Sequence, residues 1–144
     1  MSRHRKLISN AISFLCVLGM ADAGYLTIAH YRELQLPGCS VESCGKVLTH
    51  FWSHPSVTVL GWTTPALPTS LYGFVFYAMT FLALGWNVSP RWLLFLTTPA
   101  CGIHLFFVYV QAFIIHAFCT YCLVSAGLTT LVWLLSFALY RASK

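Results

Sequence analysis

The chain has 144 residues, of which 58% are hydrophobic and 8% are charged, and its formal net charge is +5. Soluble domains carry about 25% charged residues, and a soluble fold of this size could not bury so much apolar surface. The composition therefore excludes an ordinary soluble domain and predicts a small integral membrane protein. The basic residues lie mostly at the ends of apolar segments, which indicates membrane topology and no nucleic-acid partner.

Four apolar segments are candidates for membrane spans, each of which takes about 20 residues. The sequence predicts these spans at about 7–31, 70–86, 92–117 and 122–140. A short turn joins the second span to the third, and Pro90 fits the first position of a helix. We therefore predict an all-α integral membrane protein, in which one domain over residues 1–144 forms a four-transmembrane-helix bundle.

Four spans would place both termini on the same side of the lipid bilayer. Six of the eight basic residues would share that side: Arg3, Arg5, Lys6, Arg91, Arg141 and Lys144. Arg32 and Lys46 would face the other side. The positive-inside rule then predicts cytoplasmic termini and an exported loop at about 32–69.

The N-terminal segment also has features of a secretory signal peptide. A basic start, an apolar stretch and Ala21-Asp22-Ala23 imitate a signal with a small-residue cleavage site. The apolar pattern continues through Tyr25 and Ile28, which favours a first span instead. Cleavage would leave three spans without moving the exported cysteines.

Four of the six cysteines fall at the exported surface in this topology. Cys39 and Cys44 lie in the exported loop, whereas Cys119 and Cys122 form a Cys-x-x-Cys motif at the start of the fourth span. Disulfides persist in exported compartments, so two close pairs indicate disulfide chemistry. A helix start favours the thiolate of the first cysteine, and a thiolate is the species that attacks a disulfide.

Two other uses of these cysteines stay open. They could form structural disulfides in a non-enzymatic membrane scaffold, although a strained Cys-x-x-Cys ring favours reduction over stapling. All four could bind a metal, although an oxidising compartment works against a thiolate cage, and we expect none. Cys16 and Cys101 are interpreted as apolar packing residues.

A short amphipathic helix is predicted after Cys44, inside the exported loop. Its apolar face would carry Val47, Leu48, Phe51 and Trp52. This pattern is typical of a half-helix in the membrane interface, and an ordinary loop with several aromatic residues is the alternative.

Electrons that leave the Cys119–Cys122 pair need an acceptor, and a lipid-soluble quinone is the natural candidate because the fourth span begins inside or beside the bilayer. Asp22 lies within the first span and is a candidate for proton delivery to the reduced quinone, or for a structural hydrogen bond. Aromatic residues in a bundle commonly serve packing. Four of them are nevertheless candidates for lining the quinone site: Tyr72, Phe76, Tyr77 and Phe118.

Three motifs follow one another in a characteristic order. They are Cys39-Ser-Val-Glu-Ser-Cys44, Pro68-Thr-Ser-Leu-Tyr-Gly73 and Cys119-Thr-Tyr-Cys122. Together with Asp22-Ala-Gly-Tyr-Leu-Thr27 in the first span, they resemble the vitamin K epoxide reductase family in its bacterial form. The resemblance covers nearly the whole chain.

The resemblance implies a helix bundle around a quinone, ubiquinone or menaquinone, in the bacterial inner membrane. Bacterial members oxidise a DsbA-like thioredoxin-fold partner and so support disulfide formation in exported proteins. Cys39 and Cys44 would then be the shuttle pair, Cys119 would exchange with that pair, and Cys122 would face the quinone. Which loop cysteine meets Cys119 stays open. The alternative enzymatic reading is reduction of vitamin K epoxide by protein thiols.

The chain departs from the family pattern after the second loop cysteine. Thr49 and His50 stand where many members carry serines. Many bacterial members also carry a fused thioredoxin domain, whereas this chain ends at Lys144, so a separate partner is expected.

Overall fold

The computed structural model describes residues 3–32, residue 47, the backbone at 58–59 and 62–63, and residues 67–143. Over these ranges the chain is a bundle of four long helices with one small hairpin, which confirms the predicted all-α membrane fold. The helices are α1 (Arg3–Arg32), α2 (Thr69–Gly85), α3 (Pro90–Val110) and α4 (Thr120–Arg141). A π-helical turn, Gln111–Ile115, continues α3.

Three of these helices are long and apolar enough to cross a membrane: α1, α4, and α3 together with its π-helical turn. The fourth, α2, is also apolar but has 17 residues. At 1.5 Å per residue it is about 25 Å long, which is at the lower end of the lengths that span a bilayer.

The core of the bundle lies where α1 packs against α2 and α4. Ile12, Cys16, Tyr77, Leu93 and Val132 meet there and are 0 to 2% exposed. The third helix packs mainly on α4. This arrangement leaves a second, smaller buried cluster at the end of the bundle where α1 ends and α4 begins.

The outside of the bundle is strongly apolar. Phe14, Trp92, Phe95 and Phe113 expose between 64 and 72% of their surface. Large apolar patches of this kind are costly in water and cost nothing in lipid. The exterior therefore fits the hydrocarbon core of a membrane.

The predicted exported loop is described only in part. Val59 pairs with Trp62 in an antiparallel hairpin of two short strands, β1 (Thr58–Val59) and β2 (Trp62–Thr63). Val47 is helical and buried, in the smaller cluster with Leu26, Ala29 and Cys119. The rest of the predicted half-helix lies outside the described residues, as do Cys39 and Cys44.

Candidate functional site

The Cys-x-x-Cys motif lies at the N-terminus of α4. Cys119 is the N-cap residue, and its Sγ accepts a hydrogen bond from the backbone N–H of Cys122 at 3.4 Å. Cys119 is fully buried, Cys122 is half-buried, and both are free thiols. The first N–H groups of a helix have no partner within the helix, so they are available to stabilise negative charge on the Cys119 sulfur.

The two thiols are chemically unequal. A hydrogen bond from the Cys122 side chain lowers the pKa of Cys119 below its usual value, to about 7. Burial opposes this shift, as does the charge of Asp22, while the backbone N–H groups of Cys122 and Tyr121 reinforce it. The lowered pKa favours the thiolate form of Cys119, the form that attacks a disulfide and that leaves most readily from a mixed disulfide.

A tight chain reversal between α3 and α4 places Cys119 at the N-cap of α4. His116 has left-handed backbone geometry, with a φ of 53°, directly after the π-helical turn. The backbone carbonyl of Gln111 accepts the N–H groups of His116 and Ala117. The Gln111 side chain accepts the N–H of Cys119 through Oε1, at 3.0 Å.

A cavity of about 100 Å³ lies beside Cys122. Most of its wall is apolar, with Leu26 from α1, Gly73 from α2, and Phe107 and Val110 from α3. Val47 of the loop also lines it. Polar groups enter at a few places, from Thr69, Ser70, His104, Gln111 and Ser125.

A chain of hydrogen-bonding groups runs through the bundle to the cavity wall. Tyr77 donates its hydroxyl to the backbone oxygen of Ser125 at 2.9 Å and lies 2.8 Å from the hydroxyl of Thr129. The same Thr129 oxygen is 3.5 Å from His104 Nε2. His104 Nδ1 in turn lies 3.0 Å from the backbone oxygen of Ala100. Three helices therefore share one buried polar network.

The four aromatic residues predicted to line a quinone site lie in different environments. Tyr77 is fully buried in the network, and Phe76 packs against the main core. Tyr72 and Phe118 are 49% and 53% exposed. None of the four is in the wall of the cavity beside Cys122, and their role in quinone binding stays a prediction.

Asp22 is half-buried in α1, next to Ala23 of the cavity wall. Its Oδ2 atom is buried and has no hydrogen-bond partner among the described residues. Its charge acts on Cys119. An acid so placed within a span is a candidate functional group, and proton delivery by Asp22 stays a prediction.

Sequence reasoning missed four polar residues of this region: His104, Gln111, Ser125 and Thr129. Each is a hydrogen-bonding residue inside a long apolar segment. That placement was a usable signal, because polar residues within spans usually face the bundle interior.

The predicted cysteine site is described for one of its two pairs. Cys119 and Cys122 lie together, whereas Cys39 and Cys44 fall outside the described residues. Among residues with described positions, no three His, Cys, Asp or Glu side chains form a metal-binding group.

The comparison with known families gives a match over most of the chain. The model of the Vitamin K epoxide reductase family matches residues 10–137, a range that contains all four predicted redox cysteines. No curated protein matches the chain.

Proposed function

Since the chain belongs to the vitamin K epoxide reductase family, we propose that it oxidises a DsbA-like thioredoxin-fold partner and passes the electrons to a membrane quinone. Membership of this family by itself implies that the chain is a membrane thiol–disulfide oxidoreductase that uses a quinone. One observation carries the finer proposal: Cys122 lies in the wall of the cavity and shares a hydrogen bond with Cys119.

The residues of the cavity fit the ring of a quinone, either ubiquinone or menaquinone. The wall is mainly apolar, and His104, Gln111 and Ser125 bring hydrogen-bonding groups to it. A bound quinone supplies an acceptor for two electrons and two protons.

The proposed cycle begins with the loop pair. The Cys39–Cys44 disulfide accepts two electrons from the dithiol of the partner and becomes a pair of thiols. One loop thiolate then attacks Cys119 of the Cys119–Cys122 disulfide, which forms a mixed disulfide and releases Cys122. The second loop thiolate attacks the first loop sulfur and releases Cys119. The lowered pKa of Cys119 favours this release.

Chain connectivity favours Cys44 as the loop cysteine that attacks Cys119. Val47 lies in the same buried cluster as Cys119. Cys44 precedes Val47 by three residues, which extend over at most about 11 Å. Cys39 lies five residues further back and would then serve the partner.

The second half of the cycle belongs to the membrane pair. The Cys119 and Cys122 thiols give up two electrons and two protons and close to a disulfide. Cys122 lies in the cavity wall, whereas Cys119 belongs to the smaller buried cluster that also contains Val47 of the loop. The pair thereby passes electrons from a soluble dithiol to a carrier dissolved in the bilayer.

The fold supports the proposed orientation in the membrane. Helix direction alternates along the bundle, so Arg3, Arg91 and Arg141 lie at one end and Arg32 lies at the other, with Cys119. We assign the first end to the cytoplasm of a bacterial inner membrane. The redox cysteines then face the exported side.

The proposal is tested with the full chain purified in detergent. A reduced DsbA-type protein is the electron donor, a short-chain ubiquinone is the acceptor, and quinone absorbance reports the flux. We expect quinone reduction by the natural chain and its loss in Cys122→Ala. Cys101→Ala is the matched control, because Cys101 is also buried in the bundle but lies outside the cavity wall.

Two outcomes would contradict the proposal. Quinone reduction that persists in Cys122→Ala would remove the membrane pair from the electron path. A folded natural chain that reduces no quinone with any dithiol donor would favour the structural-disulfide alternative instead.

The family match also favours a second candidate activity, reduction of vitamin K epoxide. In that reaction two thiols become a disulfide, and the epoxide oxygen leaves as water with the two thiol protons. The same cavity would bind vitamin K epoxide, and the same Cys122 would lie beside it. Replacing the quinone with vitamin K epoxide in the assay, with dithiothreitol as donor, distinguishes the two activities.

A further inference from the structure

Gln111 makes an unusual set of hydrogen bonds at the junction of α3 and α4. Its backbone carbonyl accepts two N–H groups, from His116 and Ala117, and its side-chain Oε1 accepts a third, from Cys119. All of these donors belong to the short segment that turns back towards α4. A single residue therefore holds most of the backbone that precedes the Cys-x-x-Cys motif.

The local backbone explains how one residue accepts so many bonds. In an α-helix, the carbonyl of residue 111 would bond four residues ahead, at Ile115. The π-helical turn shifts this bond to His116, and the left-handed geometry of His116 brings the next N–H to the same oxygen. Turns of this type frequently mark functional sites.

The side-chain bond is the one that reaches the redox motif. Cys119 is fully buried and Gln111 is 3% exposed, so the N–H of Cys119 has no access to water as a substitute partner. Burying such a group without a partner is costly. The Gln111 side chain also lines the cavity beside Cys122. It therefore lies between the cavity and the backbone of Cys119.

We propose that Gln111 is a positioning residue for Cys119, whose side-chain carbonyl fixes the Cys119 backbone so that the sulfur stays at the N-cap of α4. The role rests on the proposed thiol exchange, because a sulfur fixed at the N-cap keeps the hydrogen bonds from Cys122 and Tyr121 that favour its thiolate. Gln111 acts through the Cys119 backbone and takes no part in bond making.

The test measures Cys119 directly, in the full chain with Cys39→Ser and Cys44→Ser. Reduced protein in detergent is labelled with methyl methanethiosulfonate at a series of pH values, and mass spectrometry quantifies labelling at Cys119. A small reagent is needed because Cys119 is buried. The midpoint of the pH profile is compared, not the absolute rate. Neither partner nor quinone is present, so the result is independent of the proposed electron path.

Gln111→Met keeps the length of the side chain and removes the acceptor. We expect its midpoint to move to higher pH and its labelling at pH 7 to fall at least about threefold, because the N-cap N–H groups no longer meet a fixed sulfur. Ser136→Ala is the matched control. It removes another buried hydrogen-bonding group, in the C-terminal half of α4 and away from Cys119, and should leave the midpoint unchanged.

Amide hydrogen exchange gives a second, independent measurement. The Cys119 amide should exchange slowly in the natural chain and in Gln111→Glu, which keeps a carboxyl oxygen as acceptor, and at least about tenfold faster in Gln111→Met. An unshifted midpoint in folded Gln111→Met would overturn the proposal. Should that variant fail to fold, rapid exchange of the Cys119 amide in the natural chain would overturn it equally.

Discussion

The ring of Tyr77 occupies the place that a Cβ atom on Gly19 would need. A Cβ built on Gly19 would lie 2.5 Å from the Cε1 and Cζ atoms of Tyr77. Both residues are buried, and the Tyr77 hydroxyl is held by Ser125 and Thr129 of α4. Because Gly19 of α1 has no side chain, Tyr77 of α2 has room to reach its hydrogen-bond partners on α4.

Gly19→Ala should destabilise the bundle, because the tyrosine ring cannot retreat without losing its hydrogen bonds. Overpacking of this kind costs about 1–3 kcal/mol, and we expect a lower thermal unfolding temperature in detergent. Gly102→Ala is the control, since a Cβ there meets nothing within 4 Å. Equal unfolding temperatures for both variants would contradict the tight contact.

Tyr77→Phe should also destabilise the bundle while preserving its shape. The variant removes the hydroxyl that donates to the Ser125 carbonyl and contacts Thr129. Loss of one buried hydrogen bond with an unsatisfied partner costs about 1–3 kcal/mol. Denaturation in mixed detergent micelles measures the change. A variant as stable as the natural chain would show that the Thr129 hydroxyl finds another partner.

The labelling of reduced Cys119 should depend on pH near neutrality. The hydrogen bond from the Cys122 side chain lowers the pKa of Cys119 to about 7, so reactivity should rise as pH increases through this value and be lost as pH falls below it. Cys122→Ala removes that donor and should move the midpoint upwards, towards the ~8.5 of a free cysteine. A labelling midpoint near the pKa of a free cysteine in the natural chain would show that Cys122 does not lower the pKa of Cys119.

Asp22→Asn should lower the pKa of Cys119 and yet slow turnover. The charge of Asp22 raises the pKa of Cys119, so its removal should shift the labelling midpoint to lower pH. If Asp22 delivers protons, turnover should still slow by at least about tenfold, because proton-transfer groups contribute roughly 10²–10⁴-fold. Unchanged turnover in a normally folded variant would assign Asp22 a structural role.

The membrane class, the helical fold and the family were predictable from the sequence. Long apolar segments with few charges leave a helix bundle as the fold, because lipid cannot satisfy an open backbone. The order of the cysteine pairs pointed to the correct family. These features depend on residue type and on position along the chain, which the sequence states directly.

The lining of the cavity was decided by the tertiary structure. In a membrane helix the lipid-facing side is as apolar as the buried side, so periodicity does not reveal which face is inside. Tyr72 and Tyr77 lie on the same helix, and only Tyr77 is buried. Gln111 reaches Cys119 because a π-helical turn and a left-handed His116 fold the chain back between them. Helix rotation and that chain reversal fix which polar groups meet at the cysteines, and both arise from packing between segments distant in sequence.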